Sequence, residues 1–475
     1  MSLNPDRFLT HGFMNQILTS PREWAQHEFG FAQLGDQRRN RRLVKIAQQL
    51  AAHPGGTLPQ TFCDWAELKA AYRFFGQAGV GFQPIQAPHV ERTQEQCHQA
   101  GEYLIIEDTT LLDYSTHWAT EDLGWIGDGA CLGFELHSAL AVRVEGWTLA
   151  QEPEGTVVGL FGQSCVTPRR APPGETRSER LARPRKSQRW AEVFKTSGRP
   201  PAGCQWIYVA DRESDFYEPM QRCQQQGVDF IIRGHNDRRL AETGGHLRAA
   251  LTEGLKLGET DIELRARPGQ PARVARVELR TIRVDLDGPW RPGGWQEPLR
   301  GVTVIEVREV QPPQTIPQPL HWMLLTSLPG TTWAQAQRIV GRYVARWWIE
   351  EYHKALKSGT EVEQSQLANA RRLEALIAVL AVVAIRLLNT KMLARSFPEG
   401  TQAVTSFGPE LLELLAKQYG EPATGWNNQN VMVAIARMGG FLARKHDGLP
   451  GWQTIWRGWQ RLTWMLQGLE ILNQT

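Results

Sequence analysis

The sequence predicts a mixed α/β protein: a sheet-bearing core set between two helical ends. Three observations predict it. From about residue 100, short apolar runs end in polar or charged residues and alternate with helical stretches. Residues before about 76 and after about 366 instead carry apolar side chains at helical spacing. Between about 240 and 320 a Gly-, Pro- and Arg-rich stretch of alternating hydrophobicity reads as a β insertion that interrupts the core. The chain has 475 residues, 41% hydrophobic and 22% charged, enough for roughly three domains at ~100–200 residues each and for a core that needs no staple.

Residues 1–76 read as a helical, basic domain. Trp24, Phe29, Leu34, Leu43, Ile46 and Leu50 form its apolar face, and Gly55, Gly56 and Pro59 break the pattern before a second helix at about 64–75. Arg38, Arg39, Arg41, Arg42 and Lys45 make a basic stripe with no acid inside the run, which suits a phosphate backbone better than an ordinary solvated face. Residues 77–239 form the first part of the core. Tyr103–Ile106 leads into Glu107-Asp108, Phe134–Val142 and Thr156–Phe161 follow, Trp206–Ala210 leads into Asp211, and Val228–Ile232 leads into Arg233. Residues 168–189 are a Pro/Arg-rich loop with eight basic and two acidic side chains.

After the 240–320 insertion, residues 321–365 complete the core, with a strand at His321–Thr326 and then one long helix, about Thr332–Lys357, capped by Thr331 or Thr332. Residues 366–475 are helical. The apolar run Ala375–Ile385 is only 11 residues long between Glu374 and Arg386, short of the ~20 that a membrane span needs, and reads as a buried helix. The six cysteines form no CxxC pair and are expected as reduced thiols, and the start of the chain has no basic-then-apolar signal pattern, so a cytoplasmic protein is expected.

The long helix carries the most chemistry. With Tyr343 set at zero and ~100° per residue, Tyr343, Arg346, Glu350, His353, Lys354 and Lys357 fall within an arc of about 100°, opposite an apolar face that includes Val344, Trp348, Ile349 and Tyr352. A solvated face with Glu–Lys pairs accounts for Glu350 and Lys354 but not for Tyr343 and Arg346. A metal-holding carboxylate flanked by phosphate-gripping cations accounts for all of them. Asp108 and Asp211, each read as closing a short apolar strand, supply two further carboxylates. Three acids suit a two-ion phosphodiester-cleaving site, because hard divalent ions take carboxylate oxygens and neutralise both the attacking and the leaving oxygen.

These residues stand in an order that resembles the Tn5-type cut-and-paste transposases of the IS-four insertion-sequence family. Its Tyr-x2-Arg-x3-Glu-x6-Lys signature is matched by Tyr343, Arg346, Glu350 and Lys357, and its two Asp motifs by Glu107-Asp108-Thr109-Thr110 and Asp211-Arg212-Glu213. Glu28-Phe-Gly and Leu34-Gly-Asp are similar to the family's end-binding domain, and Gly439-Gly-Phe441 and Trp456-x-Gly-Trp459 to its dimerisation region. The resemblance implies an RNase H-like core, with Asp108, Asp211 and Glu350 both catalytic and metal-binding. It implies two Mg²⁺ per site with Mn²⁺ as substitute, and double-stranded DNA (transposon ends and target) as partner. It further implies a homodimeric synaptic complex, no membrane, and end cleavage through a hairpin intermediate. It assigns DNA contacts to Tyr343, Arg346, Lys354, Lys357, Trp322, Arg212 and Arg233, and to His235 where the family has Lys; Arg38, Arg39, Arg41 and Arg42 join them from the N-terminal stripe. Two other classes fit the same residues: an RNase H-like nuclease or integrase without hairpin chemistry, and a non-catalytic DNA-binding derivative.

Overall fold

The computed structural model describes residues 21–473 apart from 63, 147–153, 171, 173, 177–178, 180–187, 265–271, 292–293, 315, 317, 397, 402–403 and 405–408. Much of the Pro/Arg-rich loop at 168–189 and the first 20 residues therefore lie outside the described residues.

The described residues open on helices α1 (Pro21–Phe29), α2 (Gln37–Ala52), α3 (Trp65–Phe75) and α4 (Phe82–Gln96), with a single helical turn at Leu58–Thr61 between α2 and α3. Asp36 starts α2 by accepting the Arg38 backbone N–H at 2.8 Å. The strands follow: β1 (Gly101–Asp113), β2 (Gly124–Ile126), β3 (Cys131–Gly146), β4 (Glu154–Val166), β5 (Cys204–Ala210) and β6 (Asp229–Arg233), with α5 (Tyr217–Gln226) between β5 and β6. After α6 (Leu247–Thr252) come β7 (Leu255–Leu264), β8 (Arg273–Leu286), the short pair β9 (Trp290–Arg291) and β10 (Gly294–Trp295), β11 (Leu299–Glu309) and β12 (His321–Thr326).

The strands from 240–320 do not make a separate body. Main-chain pairing runs β2-β3-β1-β5-β6-β12-β11-β8-β7 in one ten-stranded sheet, with β4 on β3. The segment expected to interrupt the core extends its sheet, because β12 pairs antiparallel with β6 on one side and β11 on the other. β1 is parallel to β5 and antiparallel to β3. Helices cover both faces, so the fold is mixed α/β with a large mixed sheet in the middle, consistent with an RNase H-like core.

The long helix expected at Thr332–Lys357 is two helices and a π turn: α7 (Trp333–Val344), α8 (Trp347–Lys354) and Ala355–Gly359. Thr332 is the cap, in a reciprocal box with Gln335. Around Ala345-Arg346 the main-chain bonds tighten to three-residue spacing: Arg346 N–H to Tyr343 at 3.0 Å, Trp348 N–H to Ala345 at 3.0 Å and Ile349 N–H to Arg346 at 3.2 Å. A uniform ~100° step therefore fails across this joint and again in the π turn.

Then come α9 (Ala370–Ser396), α10 (Pro409–Tyr419), α11 (Asn428–Met438) and α12 (Trp452–Asn473). Ala370–Met392 is long and apolar enough to cross a bilayer, but 78% of its most apolar window is buried within the protein. It packs on α4 and β4, which is where its apolar surface goes.

Gly439 and Gly458 explain two of the glycine motifs near the C-terminus. A Cβ on Gly458 would stand 1.7 Å from the Ile435 carbonyl oxygen, and one on Gly439 1.8 Å from that of Thr454. The backbones of α11 and α12 touch there, and only glycine leaves room. Gly458→Ala is expected to cost about 1–3 kcal/mol, read as a lower urea midpoint for the C-terminal helices in hydrogen exchange; unchanged protection of 428–473 would contradict the close crossing.

Candidate active site

The register of β1 and β5 brings two acids to one edge. Glu107 pairs with Ala210 in the last rung of that parallel ladder, so Asp108 and Asp211 occupy the next position on adjacent strands. Neighbouring strands run ~4.8 Å apart. Asp211 follows the end of β5, as expected, and accepts the Glu213 backbone N–H at 2.8 Å. Asp108 does not end its strand. It lies in the middle of β1, which continues to Asp113 against β3. What ends at Asp108 is the pairing with β5, and that leaves a notch in the sheet where a carboxylate can project without clashing.

Alternation along β1 separates the two acids at 107 and 108. Glu107 is fully buried and accepts the Ala191 N–H at 2.7 Å. Asp108 turns the other way, toward α8, where the Arg346 guanidinium joins it to Glu350: Nη1 lies 3.2 Å from Asp108 Oδ2 and Nη2 3.1 Å from Glu350 Oε1. Three residues up to 242 positions apart thus meet at one point. Desolvation pushes the Asp108 pKa up to about 7; Arg346 opposes the rise, and Asp211 and Glu350 add to it.

A ring nitrogen of His353 joins this cluster. Ligand atoms of Asp108, Glu350 and His353 all lie within 4.8 Å of one another. Asp211 is outside this tight group but close enough to raise the Asp108 pKa. Two carboxylates and an imidazole with a buried, unpartnered Nε2 fit a divalent ion. His353 lies inside the helical arc read from sequence, yet a ligand role was not among the expectations. The Glu350-x-x-His353 spacing is the signal that points to it, since residues three apart share a helix face. Burial holds its pKa down, to about 3, with Lys357, Arg346 and His137 adding to the effect.

The other members of the arc diverge. Tyr343 is buried, its ring edge-on to Trp322 with centroids 5.1 Å apart. Burial raises its phenol pKa, while Arg346 and a hydrogen bond from Arg233 restrain the rise. Trp322 is likewise buried in the core. Lys354 does not pair with Glu350: its Nζ lies 3.0 Å from Glu351 and sits over the Trp347 ring. Lys357, carried round by the π turn, pairs with Glu363 at 3.3 Å.

Glu351 anchors α8 from behind. Its Oε1 accepts from Trp347 Nε1 at 3.2 Å and Lys354 Nζ at 3.0 Å, its Oε2 from Lys391 Nζ at 2.7 Å and Trp452 Nε1 at 3.0 Å. Burial alone would raise its pKa, but Lys391 and Lys354 hold it well below the usual carboxylate range.

Beside the acids lies a cleft of about 470 Å³ lined by Arg212, Arg233, His235, Arg248, Arg280 and Arg308, with Glu306 among them. Arg280 is tied to Glu278 and Arg308 to Glu306, whereas Arg212 is exposed next to Asp211. Arg248, Arg280 and Arg308 come from α6 and the added strands, and only the sheet topology brings them beside Arg233. In the N-terminal stripe, Arg39 donates to the Leu34 and Ala78 carbonyls, and Arg42 and Lys45 bind Glu67 of α3. The acid absent from the run comes from the neighbouring helix. Arg38 pairs only with its own capping Asp36 and is 88% exposed, and Arg41 is also exposed.

Two family models match the ends of the chain. One, transposase DNA-binding, covers residues 21–80, and the other, the transposase Tn5 dimerisation domain, covers 382–473. Both ends of the chain match a Tn5-type transposase. The matches assign α1–α3 to DNA binding and the end of α9 with α10–α12 to dimerisation, so its partners are DNA and a second copy of itself. The acidic cluster lies between the two matched regions in sequence.

Two outcomes follow from the acids. Because the folded pKa of Asp108 is raised, the stability linked to its proton is present at low pH and lost as pH rises through about 7. Asp108→Asn, which cannot ionise, is therefore expected to melt a few degrees higher than the parent at pH 8 with EDTA, and the gap to close near pH 4. Glu351→Gln leaves Lys391 without its buried counter-charge and is expected to cost roughly 3 kcal/mol at pH 7. That loss should shrink as pH falls from about 4.5, where the unfolded chain takes the proton, to about 2, where the folded Glu351 does; chemical denaturation across that range reads it.

Proposed function

We propose that this chain cuts and joins DNA at transposon ends, with Asp108, Asp211 and Glu350 holding two divalent ions, Mg²⁺ in the cell and Mn²⁺ as substitute. The observation that carries the reading is the Arg346 bridge. It holds Asp108 Oδ2 and Glu350 Oε1 on one guanidinium, and so keeps the two carboxylates together within 4.8 Å of a ring nitrogen of His353. When bound, the ions would activate the attacking water or 3′ hydroxyl and neutralise the leaving oxygen.

The chain's own groups do the remaining work. Arg346 and Lys357 lie on the same helical segment as Glu350 and grip phosphates next to the cut. Lys354, half-exposed at its tip, can leave Glu351 for a phosphate at little cost. Arg212, Arg233 and His235 continue the basic surface into the cleft, joined by Arg248, Arg280 and Arg308. The Trp322–Tyr343 pair, backed by Arg233, is the aromatic element beside the scissile end and is the part expected to serve the distorted DNA of a hairpin step. In the N-terminal domain, Arg38 and Arg41 are the side chains most available to phosphates, while Arg39 and Arg42 shape the domain that presents them. End recognition and cutting then belong to separable surfaces.

Glu350→Ala and Asp211→Asn proteins are expected to bind terminal-repeat DNA within about threefold of the parent while strand cutting in Mg²⁺ falls by at least 10³-fold. A denaturing gel of the parent reaction is expected to show covalently closed ends. Cutting by Glu350→Ala at parental rates would sink the acid assignment. Cut ends that never close would remove the hairpin step alone and leave a nuclease or integrase of the same core.

A further inference from the structure

His353 stands one helical turn beyond Glu350, with the whole residue only 7% exposed. One of its ring nitrogens lies within 4.8 Å of carboxylate oxygens of both Asp108 and Glu350. Among the described residues its buried Nε2 has no hydrogen-bond partner. Buried imidazole nitrogens are nearly always satisfied, and one left open beside two carboxylates calls for an account.

Packing is not enough of one. The ring's aromatic neighbour is Tyr352, with centroids 5.6 Å apart and planes tilted by 51°, and any apolar side chain of similar size would serve there. Nor is it bonded to its neighbour His137, whose Nδ1 meets Thr109 Oγ1 at 2.9 Å and whose Nε2 lies 3.4 Å from Glu107. The groups facing His353 are Arg346 and Lys357 from its own helical segment and His137 from β3. In this structure Arg346 donates to Asp108 and Glu350 and Lys357 lies against Glu363, so neither is bonded to the ring. What remains is an imidazole nitrogen standing among carboxylate oxygens, which is a metal donor's environment.

We infer that His353 gives a nitrogen ligand to the divalent ion shared by Asp108 and Glu350, so that one ion of this site is held by a mixed oxygen–nitrogen set. The inference rests on the reading of the acids as a metal site. Two ligands of one ion, each ~2.1 Å from it, stand at most ~4.2 Å apart, so atoms already within 4.8 Å of one another need to close by no more than about 0.6 Å, within reach of side-chain rotation. The chemical consequence is selectivity. Mg²⁺ prefers oxygen-only surroundings, whereas Mn²⁺ and the later divalent ions accept imidazole. The chain should therefore load Mn²⁺ at this position far more readily than Mg²⁺, by a margin that depends on one side chain.

Pulsed electron paramagnetic resonance of Mn²⁺ bound to the full chain tests this without DNA or turnover. The parent is expected to show directly bound ¹⁴N coupling, which changes to ¹⁵N coupling when the protein carries ¹⁵N-histidine; this arm needs no variant and no refolding. His353→Gln is expected to lose the coupling and weaken Mn²⁺ at least tenfold, with Mg²⁺ affinity moving by less, while His137→Gln keeps the coupling. A parent spectrum without nitrogen coupling overturns the inference, as does loss of the coupling in His137→Gln but not in His353→Gln. Asp108→Asn separates the two levels. If it loses Mn²⁺ while His353→Gln binds as the parent does, the acid site stands and the histidine ligand falls. If Asp108→Asn and Glu350→Gln both bind Mn²⁺ as the parent does, the metal site itself falls.

Discussion

The helix that carries Glu350 is fixed by buried polar bonds from its next two residues, and the acidic site depends on that fixing. Glu351 binds Lys391 of α9 and Trp452 of α12 behind the helix. Tyr352 accepts from Gln163 of β4, which also reaches Ser138 on β3. These bonds run in different directions, so α8 can neither roll nor slide without leaving a buried polar group unpaired, at a cost of ~1–3 kcal/mol each. Glu350 inherits its bearing from that clamp. The short turn at Ala345-Arg346 then sets Arg346 where it spans the gap to β1.

The same clamp links chemistry to assembly. α12 belongs to the dimerisation match, and its first residue, Trp452, touches the residue next to Glu350. Nearby, α11 and α12 cross through Gly439 and Gly458 with backbones in contact. A dimer formed on these helices is therefore built on elements in direct mechanical contact with the helix that carries Glu350, not on an appended tether.

Much of this was legible in the sequence, and the failures have physical causes. Strand and helix types followed from periodicity, and the start of α7 was narrowed to Thr331 or Thr332, between which the bonds with Gln335 decide. Asp108 was misread as a strand end because the apolar run stops there; the strand goes on, and β3 rather than side-chain hydrophobicity supports its second half. The helical arc around Glu350 was over-filled, because a uniform turn cannot see the tightened joint at 345–346 or the π turn at 355–359, and so it set Lys354 beside Glu350 where the side chain meets Glu351, and missed the turn of Lys357 to Glu363. The basic stripe looked uncompensated because Glu67 is 25 positions from Arg42. Arg248, Arg280 and Arg308 could not be joined to the cleft, since strand order across the sheet is a property of long-range pairing.

Strand order also has a consequence for how such a protein can change. The chain leaves this part of the sheet at Arg233 and returns on β12, where Leu324 lies directly across from Arg233. The two ends of the 234–320 segment are thus cross-strand neighbours, already at hairpin distance. Its middle is tied in as well: Leu240, Leu247, Leu286, Leu299 and Val304 share one buried cluster with Trp206 and Tyr208 of β5. A change in this segment is therefore felt in the packing behind the strand that leads to Asp211, not at a detachable edge.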